Sequence, residues 1–221
     1  MKPLDFWVLF GFNELKVNGN TVGSSLGNKQ QSLLIGSLLG DGTLNFRGNY
    51  PNFKVEHCLR QRFYVFYKYH LLKDFVLTPP KLSYRYNSNR EAYPKSWWFR
   101  TVGIKELKFY YDLFYSYKTK MIPDNIEELL DRMALAIWAM DDGSSNNGRT
   151  AFYFNSQSFS LADQLKLCQA LKNKFNLNAR THKDKDKYRI YIPVATTRRL
   201  TEIIYPYLLP QFAYKFPSVT P

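Results

Sequence analysis

The sequence is poor in cysteine and histidine, with two and three in 221 residues. Cys58 and Cys168 have no second Cys or His at metal-ligand spacing, which argues against a zinc site and against a disulfide framework, and the chain reads as one made for a reducing compartment. Long apolar runs are lacking as well. Nothing approaches the roughly 20 residues that a spanning helix needs, so no membrane partner is expected. The opening stretch Met1 to Phe12 is a short apolar segment broken by Asn13 and Glu14. It lacks a signal peptide's uninterrupted core and an Arg-rich transit pattern, from which synthesis and action in one compartment are expected. Acidic residues are scarce beside basic ones: 18 Asp and Glu against 31 Lys and Arg, for a formal net charge of +13. Such an excess favours a polyanion. Because the basic residues are spread along the chain, nucleic acid comes before a membrane surface, each neutralised phosphate releasing counterions.

What the chain does have is apolar and aromatic bulk. At 45% hydrophobic residues it can bury a core of its own, as one large domain or two small ones, and disorder is not expected. Abundant Lys, Asn, Tyr, Phe and Ile match an AT-rich coding sequence, which sets an expectation of an organellar source.

The chain repeats itself. Ser32-Leu-Leu-Ile-Gly-Ser-Leu-Leu-Gly-Asp-Gly42 is echoed by Met133-Ala-Leu-Ala-Ile-Trp-Ala-Met-Asp-Asp-Gly143, two apolar segments that close on Asp-Gly. After the first come a Gly/Asn-rich turn (Asn45 to Asn52), a strand (Phe53 to His57) and a helix (Gln61 to Phe75). After the second come a turn (Ser144 to Arg149), a strand (Thr150 to Asn155) and a helix (Leu161 to Phe175), with Ser160 and Asp163 as its capping box. Each half then offers two strands, Lys81 to Asn87 with Ser96 to Val102 and Asn178 to His182 with Tyr188 to Ile192. A further helix follows each, Lys105 to Tyr117 and Thr196 to Tyr205, leading to Lys120-Met-Ile-Pro123 and Lys215-Phe-Pro217. The expected fold is α+β: a tandem of two αββαββα units, residues 29–125 and 126–221, after an N-terminal arm of residues 1–28.

A helix ending in Asp-Gly is by itself only a buried helix that stops at a turn. Two such helices in equivalent places can pack side by side about a pseudo-two-fold axis, Gly36, Gly40, Ala136 and Ala139 letting their backbones approach. Asp41 and Asp142 then emerge together at the C-terminal ends, where the helix dipoles are negative. Two carboxylates there need a counter-charge, and a divalent cation on oxygen ligands is the setting for metal-assisted phosphodiester hydrolysis.

The segments Leu34-Ile-Gly-Ser-Leu-Leu-Gly-Asp41-Gly42 and Leu135-Ala-Ile-Trp-Ala-Met-Asp-Asp142-Gly143 resemble the two LAGLIDADG motifs of single-chain homing endonucleases, over residues from about 29 to 217. Both depart from the family pattern at Leu39 and Met140, where its first acidic letter stands. The resemblance implies saddle-shaped antiparallel sheets over the DNA major groove, motif helices at the interface between the halves, and Mg²⁺, with Mn²⁺ substituting, held by Asp41 and Asp142. Gly40 and Asp141, the preceding positions, are counted with the metal site. They differ between the motifs, so the two halves need not be chemically alike. The resemblance further implies a basic residue near each scissile phosphate, matched here by Lys120 and Lys215. Gln157 would orient water or touch DNA, with Glu56 or His57 as its first-half counterpart. Cutting across the minor groove would leave short 3′ overhangs.

DNA reading is expected from outward strand residues. Alternation sets Lys81, Ser83 and Arg85 on one face and Leu82, Tyr84 and Tyr86 on the other. Lys54, Arg100, Arg149, Arg180, His182, Lys183 and Arg189 are further candidates, and Asn45, Arg47 and Asn49 lie in a turn that extends the footprint. Trp97, Trp98 and Trp138 are expected in the core, since duplex readers leave bases stacked. With both halves on one chain, a monomer on an asymmetric site is expected. The alternatives are an intron RNA maturase, a cleavage-inactive DNA-binding protein of the same fold, and an interaction protein whose paired helices are only a seam. The last leaves the charge unexplained.

Overall fold

The computed structural model describes residues 26–46, 48–146, 148 and 150–216. Most of the expected arm, with Arg47, Arg149 and Pro217, lies outside the described residues.

Two units succeed one another in the same order. The first is α1 (Asn28–Leu39), β1 (Thr43–Phe46), β2 (Pro51–Cys58), α2 (Arg62–Leu72), β3 (Lys81–Tyr86), β4 (Ala92–Arg100) and α3 (Lys105–Phe114). A hairpin of β5 (Tyr115–Ser116) and β6 (Thr119–Lys120) and a single turn, α4 (Ile126–Leu129), lead to the second. That unit is α5 (Arg132–Asp142), β7 (Gly143–Ser145), β8 (Phe152–Phe154), α6 (Leu161–Phe175), β9 (Arg180–Asp184), β10 (Lys187–Ile192) and α7 (Val194–Ile204). Each unit holds a four-stranded antiparallel sheet, ordered β1-β2-β4-β3 and β7-β8-β10-β9. The expected αββαββα tandem is therefore present.

Helices α1 and α5 pack against each other at the centre. Ser32 to Leu39 and Met133 to Asp141 are buried without a break, as in a helix enclosed on every side. Close approach depends on Gly36: a Cβ there would run into the Ala134 carbonyl oxygen and Ile137 of the opposite helix. Asp131 ties the two starts together. One of its oxygens caps α5 by accepting the Ala134 N–H (2.7 Å), and the other accepts the Ser32 hydroxyl of α1 (2.5 Å). In α6, Ser160 accepts the Asp163 N–H at 3.1 Å, as the expected cap requires, and Asn176 closes the helix in the left-handed region at φ 54°.

Strand register sorts the side chains. Lys54 pairs with Arg100, Glu56 with Trp98 and Lys81 with Trp98. Directly opposed residues share a face, so these look outward while Phe53, Val55 and Phe99 enter the core. In the second sheet Tyr191 pairs with Tyr153 and Arg180, and Arg189 with His182.

Four expectations change. Helix α3 stops at Phe114 rather than at Tyr117, because Tyr117 and Lys118 take φ 46° and 67° and turn the chain into the β5–β6 hairpin. A register shift between Ser83 and Tyr84 breaks the expected alternation, and Tyr84, Arg85 and Tyr86 are all exposed. Lys183 pairs with Tyr188 and so shares the face opposite Arg180 and His182. Trp138 is buried and Trp97 packs against the core, but Trp98 lies on the outer face with Lys54 and Lys81 over its ring at 5.6 and 5.1 Å.

Candidate active site

The two motif helices do not end alike. Helix α5 runs through Asp142, and the Gly143 N–H closes its last turn on the Ala139 carbonyl. Helix α1 ends at Leu39, after which the Gly42 N–H reaches back to the Ser37 carbonyl at 2.7 Å and the Asp41 N–H is released from the helix. It turns instead to the other half, donating to Asp141 Oδ2 at 3.3 Å. Gly40 makes room for this, since a Cβ there would meet the Asp141 side chain at 2.5 Å.

Asp41 and Asp142 come together at this junction, one from each half. Asp41 is half exposed, and its Oδ2 lies 3.4 Å from Nδ1 of His57, an imidazole only 2% exposed. Burial acts to raise its pKa, but the His57 hydrogen bond and charge, with Lys68 and Lys215, bring it below the usual carboxylate value. Asp142 shows the reverse. Burial and then the charges of Asp41 and Asp141 push its carboxyl up to about 8, against the pull of Lys120 and Lys215. Among the described residues no side chain hydrogen-bonds the Asp142 carboxylate; its main-chain oxygen accepts from Asn155 N and Nδ2 at 2.9 and 2.8 Å.

Each candidate lysine sits on the C-terminal carbonyls of its own motif helix. Lys120, delivered by the β5–β6 hairpin, donates to the Gly40 carbonyl at 2.8 Å. Lys215, at the end of a 3₁₀ segment, donates to the Met140 and Asp141 carbonyls at 2.6 and 3.0 Å. Those carbonyls carry the negative ends of the helix dipoles. Burial lowers both lysines despite the neighbouring aspartates, Lys120 to about 8.

The carboxylate of Asp141, expected with the metal site, is engaged by side chains of the first half. Lys68 Nζ binds both its oxygens, at 2.8 and 2.9 Å, and completes its own donor set on Ser37 Oγ at 2.9 Å. The Tyr64 hydroxyl adds a bond of 2.6 Å to Oδ1. Asp41, His57 and Asp141 do offer ligand atoms within 4.8 Å of one another, but the cation lodged against that group is Lys68. Asp41 and Asp142, by contrast, suit a divalent ion: burial, and then the like charges of Asp41 and Asp141, raise the Asp142 carboxyl to about 8, and a bound cation would offset both.

Sequence reasoning missed Lys68 and Tyr64 and weighed His57 only as a counterpart of Gln157. One signal was available, since Lys68 falls on the stripe Tyr64, Val65, Lys68 and Leu72 that α2 buries. Gln157 donates to Asp184 at 2.8 Å and lines a cleft that also contains Lys120. Glu56 belongs to the outer sheet face, where burial would raise its carboxyl but bonds from Lys54, Ser96 and Lys95 hold it at about 2.

The outer faces differ in chemistry. Lys54, Lys81 and Arg100 surround Trp98 in the first sheet. In the second, Arg189 stacks over Tyr153 at 4.0 Å and Arg180 over Tyr191 at 5.0 Å, with His182 against both tyrosines. Among the described residues no helix is long and apolar enough to cross a membrane.

Comparison with known proteins follows the same geometry. The family model for the LAGLIDADG DNA endonuclease family matches residues 31–200. DNA endonuclease I-ChuI of Chlamydomonas applanata is 31% identical over 210 residues, 86% of this chain and 95% of its own. Cytochrome b mRNA maturase bI2 of Saccharomyces cerevisiae is 27% identical over 199 residues, 83% of this chain and 46% of its own. The fold of the homing endonuclease I-WcaI, solved bound to its DNA recognition sequence, superposes with a TM-score of 0.80 at 24% identity, covering 94% of this chain and 96% of that one.

Proposed function

The chain belongs to the LAGLIDADG DNA endonuclease family, and from that premise we propose that it is a homing endonuclease making a double-strand break at one long, asymmetric DNA site. The observation that carries this is the junction of α1 and α5: one aspartate from each half, with a lysine beside each on the helix-end carbonyls. Asp41 and Asp142 would hold a divalent cation, Mg²⁺ or in its place Mn²⁺, which when bound supplies Lewis acidity and an activated water. Gly40 and Asp141 contribute main-chain carbonyls to the rim rather than ligating side chains. Lys120 and Lys215 are placed to stabilise charge at a scissile phosphate, and burial lowers the cost of giving up a proton there. Gln157 shares the cleft with Lys120 and is a candidate to orient water or DNA. Each half-site then has its own acid and lysine, in repeats of residues 29–125 and 126–221, on a monomer.

The outer sheet faces supply the contacts. Lys54, Lys81, Ser83 and Arg100 on one side and Arg180, His182 and Arg189 on the other share the groove, the arginines suited to bidentate base contacts and the lysines to phosphate. Arg85 extends the footprint beyond the core; Lys183, on the opposite face, is assigned to phosphate at most. An organellar intron as source fits both the composition and the relatives named as intron-encoded.

A second reading, an RNA maturase of the same fold, is favoured by the similarity to the bI2 maturase. One assay separates the two: incubation with intronless insertion-site DNA and Mg²⁺ or Mn²⁺. Cleavage of both strands with 3′ overhangs is expected. Tight DNA or intron RNA binding with no cutting under any divalent metal would shift the assignment to the maturase.

A further inference from the structure

Beneath the paired aspartates lies a charge pair that the catalytic assignment does not use. Lys68 is the one Lys or Arg buried among the described residues, and its side chain and that of Asp141 are both 0% exposed. A buried pair of this kind is costly to desolvate and adds little to stability over apolar side chains of similar volume, so its presence calls for another reason. The pair also bridges the halves, Lys68 standing on α2 of the first and Asp141 on α5 of the second. It is not repeated. The position matching Asp141 in the first motif is Gly40, and the buried positions of α6, the counterpart of α2, include Gln164, Leu167, Cys168 and Leu171 but no cation.

What the pair reaches is Asp41. With both oxygens of Asp141 fixed by Lys68 and Tyr64, Oδ2 becomes a rigid acceptor for the Asp41 N–H that the early end of α1 has released. Asp41 is thus held by the other half at its main chain, through Asp141, and by His57 at its carboxylate, while the Asp142 main chain is held only by Asn155 of its own half and its carboxylate accepts no side-chain hydrogen bond among the described residues. We propose that Lys68 is a positioning residue which, through Asp141, fixes the Asp41 main chain and so makes cleavage of one DNA strand depend on a support that cleavage of the other does not have. This rests on the endonuclease reading above, so one arm of its test is independent of activity.

The test uses Lys68→Met/Asp141→Asn, which removes both charges and leaves an amide oxygen for the Asp41 N–H, beside Lys68→Arg, which keeps the cation. Hydrogen exchange at the Asp41 amide, followed by NMR without metal or DNA, should be slow in the parent and in Lys68→Arg and at least about tenfold faster in the double variant. Unchanged protection would overturn the proposal whether or not the chain cuts DNA. In single-turnover cleavage of end-labelled target, the double variant should cut one defined strand at least about tenfold more slowly and the other within about threefold of the parent, accumulating one nicked species. Equal slowing of both strands would reduce the pair to a structural role and also overturn it. If the double variant does not fold, Asp141→Asn alone carries both measurements with the same outcomes. A parent that shows slow Asp41 exchange but no cleavage would count against the endonuclease reading and not against the positioning of Asp41.

Discussion

The two halves share a topology and differ in what they put beneath it. Under Asp41 the first half packs His57, Tyr64, Ser37 and Lys68 around the carboxylate of Asp141. Around α5 the second half packs rings: Trp138 on Phe154 at 3.8 Å between centroids and Phe152 on Phe216 at 5.1 Å. The first half's aspartate is held through a charged network that crosses to the other half, whereas the second half's is held at its main chain by Asn155 of the same half. A repeated fold therefore constrains where the carboxylates arrive but not how each is held, which is the freedom an asymmetric site on one chain allows.

Five substitutions probe this contrast. The largest effect belongs to the seam the halves share. Gly36→Val would wedge α1 from α5 at Ala134 and Ile137 and should cost about 3 kcal/mol, the upper range for overpacking, read from urea unfolding. On the outer faces the arginine half should carry more specificity. Arg189→Ala, removing a guanidinium stacked on Tyr153, should lose about 1–3 kcal/mol and relax base preference at one position, which binding to a target library measures.

The aspartates themselves should respond to pH with opposite signs. Asp142 has a raised pKa, so the metal-free fold loses stability as pH rises from the unfolded value near 3.8 to about 8, where the unfolded chain has ionised and the folded carboxyl still holds its proton. Asp142→Asn at pH 8.5 should therefore raise Tm, by about 2–4 °C for each kcal/mol relieved in a chain of this size. Asp41 has a lowered pKa and stabilises the fold above its unfolded value, a contribution lost as pH falls through the folded one, so Asp41→Asn should lower Tm at the same pH. Calorimetry of the metal-free proteins checks both signs. The smallest effect is expected from Lys54→Ala. Its charge is already shared with Glu56 at 2.6 Å, so it should weaken binding uniformly across sequences and reduce the salt slope by about 1 or less.

Topology was legible in the sequence because the motif occurs twice and each copy is followed by the same order of strands and helices. That Asp41 and Asp142 meet at the helix ends was legible for the same reason, and Lys120 and Lys215 beside them came from the family resemblance and their paired positions. Lys68 was not legible in that way. Helical spacing puts it on the stripe of Tyr64, Val65 and Leu72, but its partner Asp141 lies in the other half, which spacing along one helix does not reveal. The β5–β6 hairpin was hidden because Tyr117 and Lys118 take the positive φ angles that Asn-Gly usually announces. Trp98 was misplaced by its size: two lysines make its ring part of a polar surface.

Double-strand cleavage in this reading needs one carboxylate from each half, and Asp41→Asn and Asp142→Asn probe that requirement without changing the rest of the junction. DNA affinity in Ca²⁺ and cleavage in Mg²⁺ should be measured on the same target. Each substitution should abolish double-strand cleavage while affinity stays within about threefold of the parent. A variant that lacks either carboxylate and still cuts both strands would contradict it.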